Sequence, residues 1–250
     1  MIDHRHYAAP QDLLRDKVIM ITGASSGLGS ALALACARHG AQVVLSGRRK
    51  SRLDAVYDMI LAQGGPKPAL APLDLASANA AQYDELVDAI EGEFGRLDGL
   101  VHAAALLGDR SPIEHYDVPT WFKVLHVDLT APFILTQALM PTMRKSASAS
   151  IVFVSSSVAR QPRAYWGAYA VAKAGLEALS AMLAQEVEAE GKLRMNSVNP
   201  GAMRTPMRAA AYPAEDPKKV PEPASVAGTF LYLLGADSRE VNGRHFDLQA

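Results

Sequence analysis

The chain has 250 residues, of which 49% are apolar, so it is long enough to form one large α/β domain with a sizeable core. A net charge of −1 with mixed signs excludes the basic footprint of a protein that binds nucleic acid or anionic membranes. No apolar run approaches the roughly 20 residues of a bilayer span, and the N-terminus lacks the apolar core of a signal peptide. The single cysteine, Cys36, excludes an internal disulfide and suits a reducing compartment. We therefore expect a soluble cytoplasmic protein with no nucleic-acid or membrane partner, in which Cys36 is a buried packing thiol.

The apolar pattern predicts strands that alternate with helices. Residues 1–16 are predicted to form an N-terminal surface extension with one helical turn. The predicted strands cover 18–22, 42–46, 69–73, 100–104, 150–155, 193–199 and 245–248. The predicted helices cover 30–38, 50–63, 83–94, 120–144, 165–190 and 225–234, and Pro132 should kink or split the fourth of them.

This alternation is typical of a doubly wound parallel sheet with right-handed crossovers. We predict a single α/β domain of the Rossmann type over residues 17–250, with a seven-stranded parallel sheet and helices on both faces. The Pro-rich segment 206–223, which includes Tyr212, has the composition of a substrate lid or of an exposed loop.

The first predicted strand runs into three glycines spaced G-x-x-x-G-x-G, and an Ala- and Leu-rich helix follows. This order aims backbone N–H groups and a helix N-terminus at a phosphate. Gly23 would permit the tight turn, Gly27 the close approach of a pyrophosphate, and Gly29 close helix–strand packing. Glycines after a strand are often only a turn, so this motif alone leaves a nucleotide site and a plain turn about equally open.

Ligands of such sheets bind beyond the carboxyl ends of the strands. Arg48 and Arg49 follow the second strand, where an acid usually holds a free ribose 2′-OH. Two arginines and no acid favour a phosphorylated ribose, and therefore NADP over NAD. The alternative is a solvated pair of surface arginines.

Ser156 follows the fifth strand, and Tyr169 and Lys173 lie four residues apart on the next helix, where they share one face. A phenol titrates near 10, and a neighbouring ammonium lowers that pKa. A serine hydroxyl could hydrogen-bond the same oxygen of a carbonyl substrate. A Y-x-x-x-K pair is also common on helix surfaces by chance, but its combination with the glycine turn and the serine favours proton transfer.

Together these motifs resemble the short-chain dehydrogenase/reductase family across essentially the whole chain. The resemblance rests on T-G-A-S-S-G-L-G at 22–29, Ser156, Y-x-x-x-K at 169–173 and N-P-G at 199–201. Within the family, the segments 106–109, 158–169 and 204–209 are similar to the YciK-type oxidoreductases.

The resemblance implies an NADP-dependent oxidoreductase that interconverts a small-molecule carbonyl and an alcohol. In it Tyr169 is the general acid/base, Lys173 is its partner and a ligand of the nicotinamide ribose, and Ser156 orients the carbonyl. The positions matched to the cofactor site are Gly23, Ser25, Ser26, Leu28, Gly29, Arg48, Arg49, Asp74, Leu75, Ala104, Tyr169, Lys173, Pro200, Gly201 and Thr205.

Two departures from the family pattern count toward a different function. Residues 102–105 are His-Ala-Ala-Ala where the family has Asn-Asn-Ala-Gly, which removes an amide that braces the central sheet and adds a methyl beside the adenosine ribose. Asp128 stands where the family has a fourth catalytic residue, an Asn, so the water-mediated relay toward Lys173 loses an N–H donor. A carboxylate there would instead raise the pKa of Lys173. These departures support the alternative of a dinucleotide-binding regulator or scaffold without redox turnover.

The helices predicted at 120–144 and 165–190 carry more apolar residues than one sheet face covers, and the family often pairs them across a twofold axis. We therefore predict a homodimer or homotetramer, the alternative being that all these residues pack on their own sheet. The candidate contact residues are Phe133, Leu135, Leu139, Leu176, Leu179 and Leu183. No metal site is predicted, because the seven histidines lack the spacing of metal ligands.

Overall fold

The computed structural model describes residues 4–248, which form one seven-stranded parallel sheet in the order β3-β2-β1-β4-β5-β6-β7. The strands are β1 (Val18–Thr22), β2 (Gln42–Gly47), β3 (Ala69–Pro72), β4 (Gly99–His102), β5 (Ala149–Val154), β6 (Leu193–Asn199) and β7 (His245–Asp247). Strand order reverses between β1 and β4, so the crevice at this switch point is where a ligand of such a sheet binds. The predicted α/β class, sheet and strand count are confirmed.

Helices cover both faces of the sheet. They are α1 (Gly27–Arg38), α2 (Lys50–Ala62), α3 (Ala80–Phe94), α4 (Val118–Leu125), α5 (Ala131–Met143), α6 (Ser157–Arg160), α7 (Gly167–Glu186), α8 (Pro206–Ala211) and α9 (Ala227–Leu234). Successive residues of a strand face opposite sides. Ile19 and Ile21 therefore join the core under α1, α2 and α9, whereas Val18 and Met20 join the core under α3, α5 and α7. Cys36 is a buried free thiol of the first core, as predicted.

Local capping explains where helices begin earlier than predicted. The side chain of Asn79 accepts a hydrogen bond from the backbone N–H of Gln82, and the Gln82 side chain accepts one from the N–H of Asn79. This capping box starts α3 at Ala80 rather than at residue 83. Asp117 likewise accepts a hydrogen bond from the N–H of Thr120 at 2.8 Å and starts α4 at Val118.

The helix predicted at 120–144 changes its winding just before Pro132, where a break was expected. A π-helical segment, His126–Thr130, joins α4 to α5 and carries Asp128 into the interior. Such segments are frequent at functional sites. By length and composition alone the whole helix Val118–Met143 could cross a membrane, contrary to the expectation from the sequence. In this fold the apolar side of the helix belongs to the core and packs on the sheet.

Most of the residues predicted to form the subunit contact are not at the surface. Five of the six predicted contact residues are buried in their own core, because they lie on the sheet-facing side of α5 and α7. They are Leu135, Leu139, Leu176, Leu179 and Leu183. Only Phe133 is exposed, at 43%, and other large apolar side chains on these helices are exposed instead, namely Val118, Phe122, Val171 and Met182.

The described part of the predicted N-terminal extension packs on the body of the fold, so it is not simply a surface segment. Leu14 is fully buried in the core beside α1 and α9. The hydroxyl of Tyr7 donates to Asp237 Oδ2 at 2.8 Å, and its ring contacts that of Tyr232 at 5.4 Å. Single apolar residues in a polar segment carry no periodic pattern, so the sequence did not indicate these contacts.

Candidate active site

A cavity of about 470 Å³ opens at the carboxyl ends of the strands, around the switch point between β1 and β4. Every residue assigned to the cofactor or catalytic site from the sequence lines it, with the exception of Asp128. The positions are distant in sequence and meet because parallel strands bring their carboxyl ends to one edge of the sheet.

The glycine turn forms one wall, and two of its glycines adopt left-handed backbone angles, with φ of +66° at Gly23 and +57° at Gly27. A Cβ on Gly23 would lie 2.8 Å from Ala104 Cα, and one on Gly29 would collide with the carbonyl oxygen of Gly23. Ser26, the N-cap of α1, makes no side-chain capping hydrogen bond. The first N–H groups of this helix therefore keep their capacity to bind an anion.

Arginines gather at the end of β2. Arg48 and Arg49 are exposed and line the cavity, and no ion pair among residues 4–248 includes either of them. The pKa of Arg49 is lowered, first by partial desolvation and then by the charges of Arg52 and Arg48. Repulsion among three guanidinium groups without an acid partner would be relieved by a phosphate.

Ser156, Tyr169 and Lys173 meet on the cavity wall formed by β5 and α7. The hydroxyl of Ser156 is near that of Tyr169 and favours the ionised phenol. Lys173, only 2% exposed, donates from Nζ to the carbonyl oxygen of Val154 at 3.0 Å. Its Nζ also lies 5.6 Å from the centroid of the Tyr169 ring. The three side chains expected to act together are therefore neighbours.

The protonation state of Tyr169 differs from the expectation. Burial raises the pKa of Tyr169, the charge of Asp128 raises it further, and the nearby hydroxyl of Ser156 opposes them. A lowering by Lys173 was expected, but the lysine ammonium faces Val154 O and Asp128, so burial dominates. The phenol therefore holds its proton at neutral pH.

Asp128 lies beneath the cavity, fully buried in the π-helical segment. Its Oδ1 accepts a hydrogen bond from the backbone N–H of Leu106 at 2.7 Å, and its Oδ2 lies 3.8 Å from Lys173 Nζ without a hydrogen-bond partner in the described chain. Burial raises the pKa of Asp128 to about 7, against the lowering effects of Lys173 and the Leu106 N–H. This carboxyl therefore titrates near neutral pH beside the lysine.

The other departure from the family pattern, at residues 102–105, has its own stabilising contacts. His102 Nε2 lies 2.9 Å from Thr136 Oγ1, and its ring stacks on Phe153 with 4.9 Å between centroids. Burial, assisted by the charge of Lys173, lowers the pKa of His102 to about 3, so the ring is neutral. The backbone N–H groups of Ala103 and Ala104 both donate to Thr22 Oγ1 at 3.1 Å. The expected loss of bracing is thus offset by a histidine–threonine contact and by Thr22.

The structure adds cavity residues that sequence reasoning missed. They include Thr22, Trp166, Met203, Met207 and Arg208. The segment 206–223 was expected to be a lid or loop, but it begins with α8, which Thr205 caps by accepting from the N–H of Arg208 at 3.1 Å. The Thr-Pro pair at its start was the available signal, since Thr favours the N-cap and Pro the first helical position. Trp166 carried no such signal.

Known proteins resemble the chain over its full length. A sequence profile described as short chain dehydrogenase matches residues 17–216. YciK, an uncharacterised oxidoreductase of Escherichia coli K12, is 44% identical over 98% of this chain and 96% of its own length. A solved short chain dehydrogenase from Pseudomonas syringae is 47% identical, with a TM-score of 0.96 over 100% of both chains. One from Shigella flexneri 2a, solved in complex with NADP, is 43% identical, with a TM-score of 0.94 over 96% of this chain and 100% of its own.

Proposed function

Because this chain belongs to the short-chain dehydrogenase/reductase family and is an oxidoreductase, we propose that it interconverts a carbonyl compound and an alcohol with NADP as cofactor. The observation that carries this proposal is the protonated Tyr169, which lines the strand-end cavity together with Ser156 and the buried Lys173. That group can hold a carbonyl oxygen and give it a proton.

NADPH, when bound, would supply the hydride. In the reductive direction, Ser156 Oγ and Tyr169 Oη donate hydrogen bonds to the substrate oxygen, and the Tyr169 proton passes to that oxygen as negative charge develops on it. The raised pKa of Tyr169 keeps the proton on Oη until that stage. Lys173 lies behind the phenol, 3.8 Å from Asp128. Burial lowers the pKa of Lys173, and the charge of Asp128 opposes this shift without producing the rise expected from the sequence.

The cavity is suited to NADP. The N–H groups of the 23–29 turn would hold the pyrophosphate, because side-chain methyls are absent where the backbone approaches. Arg48 and Arg49 would hold the ribose 2′-phosphate. Asp74 and Leu75 would contact the adenine, and Ala104 would lie beside the adenosine ribose. On the nicotinamide side the residues would be Pro200, Gly201, Thr205 and Lys173. The Shigella flexneri relative that was solved with NADP supports this choice.

We expect NADPH to bind more tightly than NADH, and Arg48→Ala to weaken NADPH binding by about 10- to 150-fold, the value of one charged contact. NADH binding should hardly change, since it has no 2′-phosphate. Calorimetric titration of both cofactors measures this, and Lys50→Ala, a nearby exposed cation already paired with Asp54 at 2.9 Å, is the control. Equal affinity of the wild type for NADPH and NADH would contradict the prediction.

The alternative is a dinucleotide-binding regulator or scaffold without turnover. A screen of NADPH oxidation against a panel of ketones and aldehydes, with wild type and Tyr169→Phe side by side, separates the two. Turnover that depends on Tyr169 supports the enzyme. Tight NADPH binding with no turnover of any compound supports the alternative.

We also propose a homodimer or homotetramer, because the outward faces of α4, α5 and α7 leave Phe122, Phe133 and Met182 exposed. Light scattering at micromolar concentration should show at least a dimer, and Phe133→Glu should shift it toward monomer. Met59→Glu is a matched control, since Met59 is 41% exposed on α2, on the opposite face of the sheet. A wild-type monomer would be evidence against this assembly.

The domain limits proposed from the sequence are kept: a catalytic domain over 17–250, an N-terminal extension over 1–16 whose described residues 4–16 pack on it, and the segment 206–223 as the substrate lid. The cytoplasm is the proposed compartment, in keeping with a buried free thiol at Cys36.

A further inference from the structure

The part of the cavity around Tyr169 is walled by apolar and aromatic side chains. The walls come from three segments, namely the loop after β4, the start of α7, and α8 with the residue that follows it. The wall residues are Leu106, Leu107, Trp166, Met207, Ala211 and Tyr212. The Trp166 ring lies 5.8 Å from that of Tyr169 and 6.1 Å from that of Tyr212, so Trp166 stands beside the reacting phenol and Tyr212 stands beside Trp166.

The charges near this wall already have partners. Arg208 makes two hydrogen bonds of 2.6 Å to Glu215, and its guanidinium lies 3.8 Å from the centroid of the Tyr212 ring. Apart from Lys173, Arg208 is the one cation among the described cavity residues on this side, and a bidentate carboxylate neutralises it. An anionic substrate group would have to displace Glu215 from Arg208 to gain an ion pair.

A second arginine holds the wall together from outside. Arg110 lies over the rings of Trp166 and Tyr212, at 4.5 and 5.2 Å, and donates to the carbonyl oxygen of Ala211 at 2.6 Å. It faces an outer hollow shared with Tyr165 and does not line the main cavity. Arg110 therefore joins the loop after β4 to the lid and fixes the two rings as a preformed apolar surface.

We propose that the substrate is an uncharged carbonyl compound with an apolar, ring-bearing substituent, and that Trp166 and Tyr212 determine this specificity; the inference rests on the proposed function. A flat apolar group gains contact with both rings. A carboxylate or ammonium would lose its hydration without gaining a free partner.

Turnover by the NADPH complex tests the proposal with three ketones of different size and charge: acetophenone, 4-acetylbenzoate and 2-butanone. For wild type, kcat/KM should be at least about tenfold higher for acetophenone than for either of the others. Trp166→Ala and Tyr212→Ala should each lower it about 10- to 100-fold for acetophenone, mainly through KM, and by less than about threefold for 2-butanone. Tyr165→Ala, an aromatic neighbour that is 55% exposed outside the cavity, should change neither.

Binding without turnover separates this proposal from the proposed function. Calorimetry of the NADPH complex with 1-phenylethanol and with benzoate should show binding of the alcohol only, and Trp166→Ala should weaken it about tenfold. If the alcohol binds in this way but no ketone is reduced, the proposed function fails and the pocket assignment stands. Equal use of the keto acid, benzoate binding as tight as that of the alcohol, no alcohol binding at millimolar concentration, or a uniform loss for all ketones in Trp166→Ala would overturn the specificity proposal.

Discussion

Replacing Tyr169 by phenylalanine is expected to lower kcat for carbonyl reduction by about 10²- to 10⁴-fold, the range of a positioned general acid. The substitution removes the one proton that the buried phenol holds beside Ser156. The ring stays, and with it the packing against Trp166, so the wall of the cavity should keep its shape. The rate of NADPH oxidation under saturating ketone measures the effect, and the affinity for NADPH should be retained.

Tyr83→Phe is the matched control for this change. Tyr83 is a buried tyrosine of α3, outside the cavity, whose hydroxyl has no hydrogen-bond partner in the described chain. Its loss should leave kcat unchanged. A Tyr169→Phe variant within tenfold of wild-type activity would show that another group supplies the proton.

The substitution Asp128→Asn is expected to shift the rising limb of the pH profile of alcohol oxidation to lower pH. Oxidation needs the phenolate of Tyr169, and the negative charge of Asp128 raises the pKa of that tyrosine. Asparagine removes the charge at nearly the same volume, and its side-chain oxygen can still accept from the N–H of Leu106. Rates of alcohol oxidation across pH 6 to about 10 test the shift, because at each pH on the rising limb the variant should hold more phenolate and turn over faster than wild type.

The same substitution should also change how the free energy of unfolding depends on pH. We expect this effect to be larger than the effect on the pH profile of alcohol oxidation. Burial raises the pKa of Asp128 from 3.8 to about 7. A carboxyl with a higher pKa in the folded chain stabilises the fold when protonated, so this contribution is complete below pH 3.8 and is lost as the pH rises to about 7. The loss is on the order of 4 kcal/mol. The difference in urea midpoint, Asp128→Asn minus wild type, should therefore be more positive at pH 8 than at pH 5.

Asp88→Asn is the control for both measurements, since Asp88 is an exposed carboxylate of α3 that does not line the cavity. An Asp128→Asn variant with an unchanged pH profile and an unchanged pH dependence of stability would contradict the picture of a titrating carboxyl beside Lys173.

Local sequence patterns were sufficient to predict most of the fold. The β-branched runs and glycine turns located all seven strands within a few residues, because strand propensity and turn chemistry act over short distances. The glycine turn, Ser156 and the Tyr169–Lys173 pair were assigned to the cavity for the same reason, since each is a local motif at a strand end.

Properties that depend on tertiary packing could not be predicted from the sequence. The burial of Leu135 and Leu176 against the sheet, and the exposure of Phe122, follow from how each helix is rotated on its neighbours. The pKa of Tyr169 depends on the depth of the cavity and on where the ammonium of Lys173 points. The spacing of four residues indicated only that the two side chains were near each other.

The anchoring of the N-terminal segment has a consequence for the order in which the chain folds. Tyr7 and Asp237 are hydrogen-bonded although they lie 230 positions apart, and Leu14 shares its core with α9. During synthesis the segment around Leu14 leaves the ribosome long before its partners in α9. One face of the sheet therefore lacks its final cover until α9 has been made, whereas α3, α5 and α7 can close the other face earlier. Contacts of such long sequence separation are slow to form, and a nascent chain with this apolar face open is the species most exposed to aggregation.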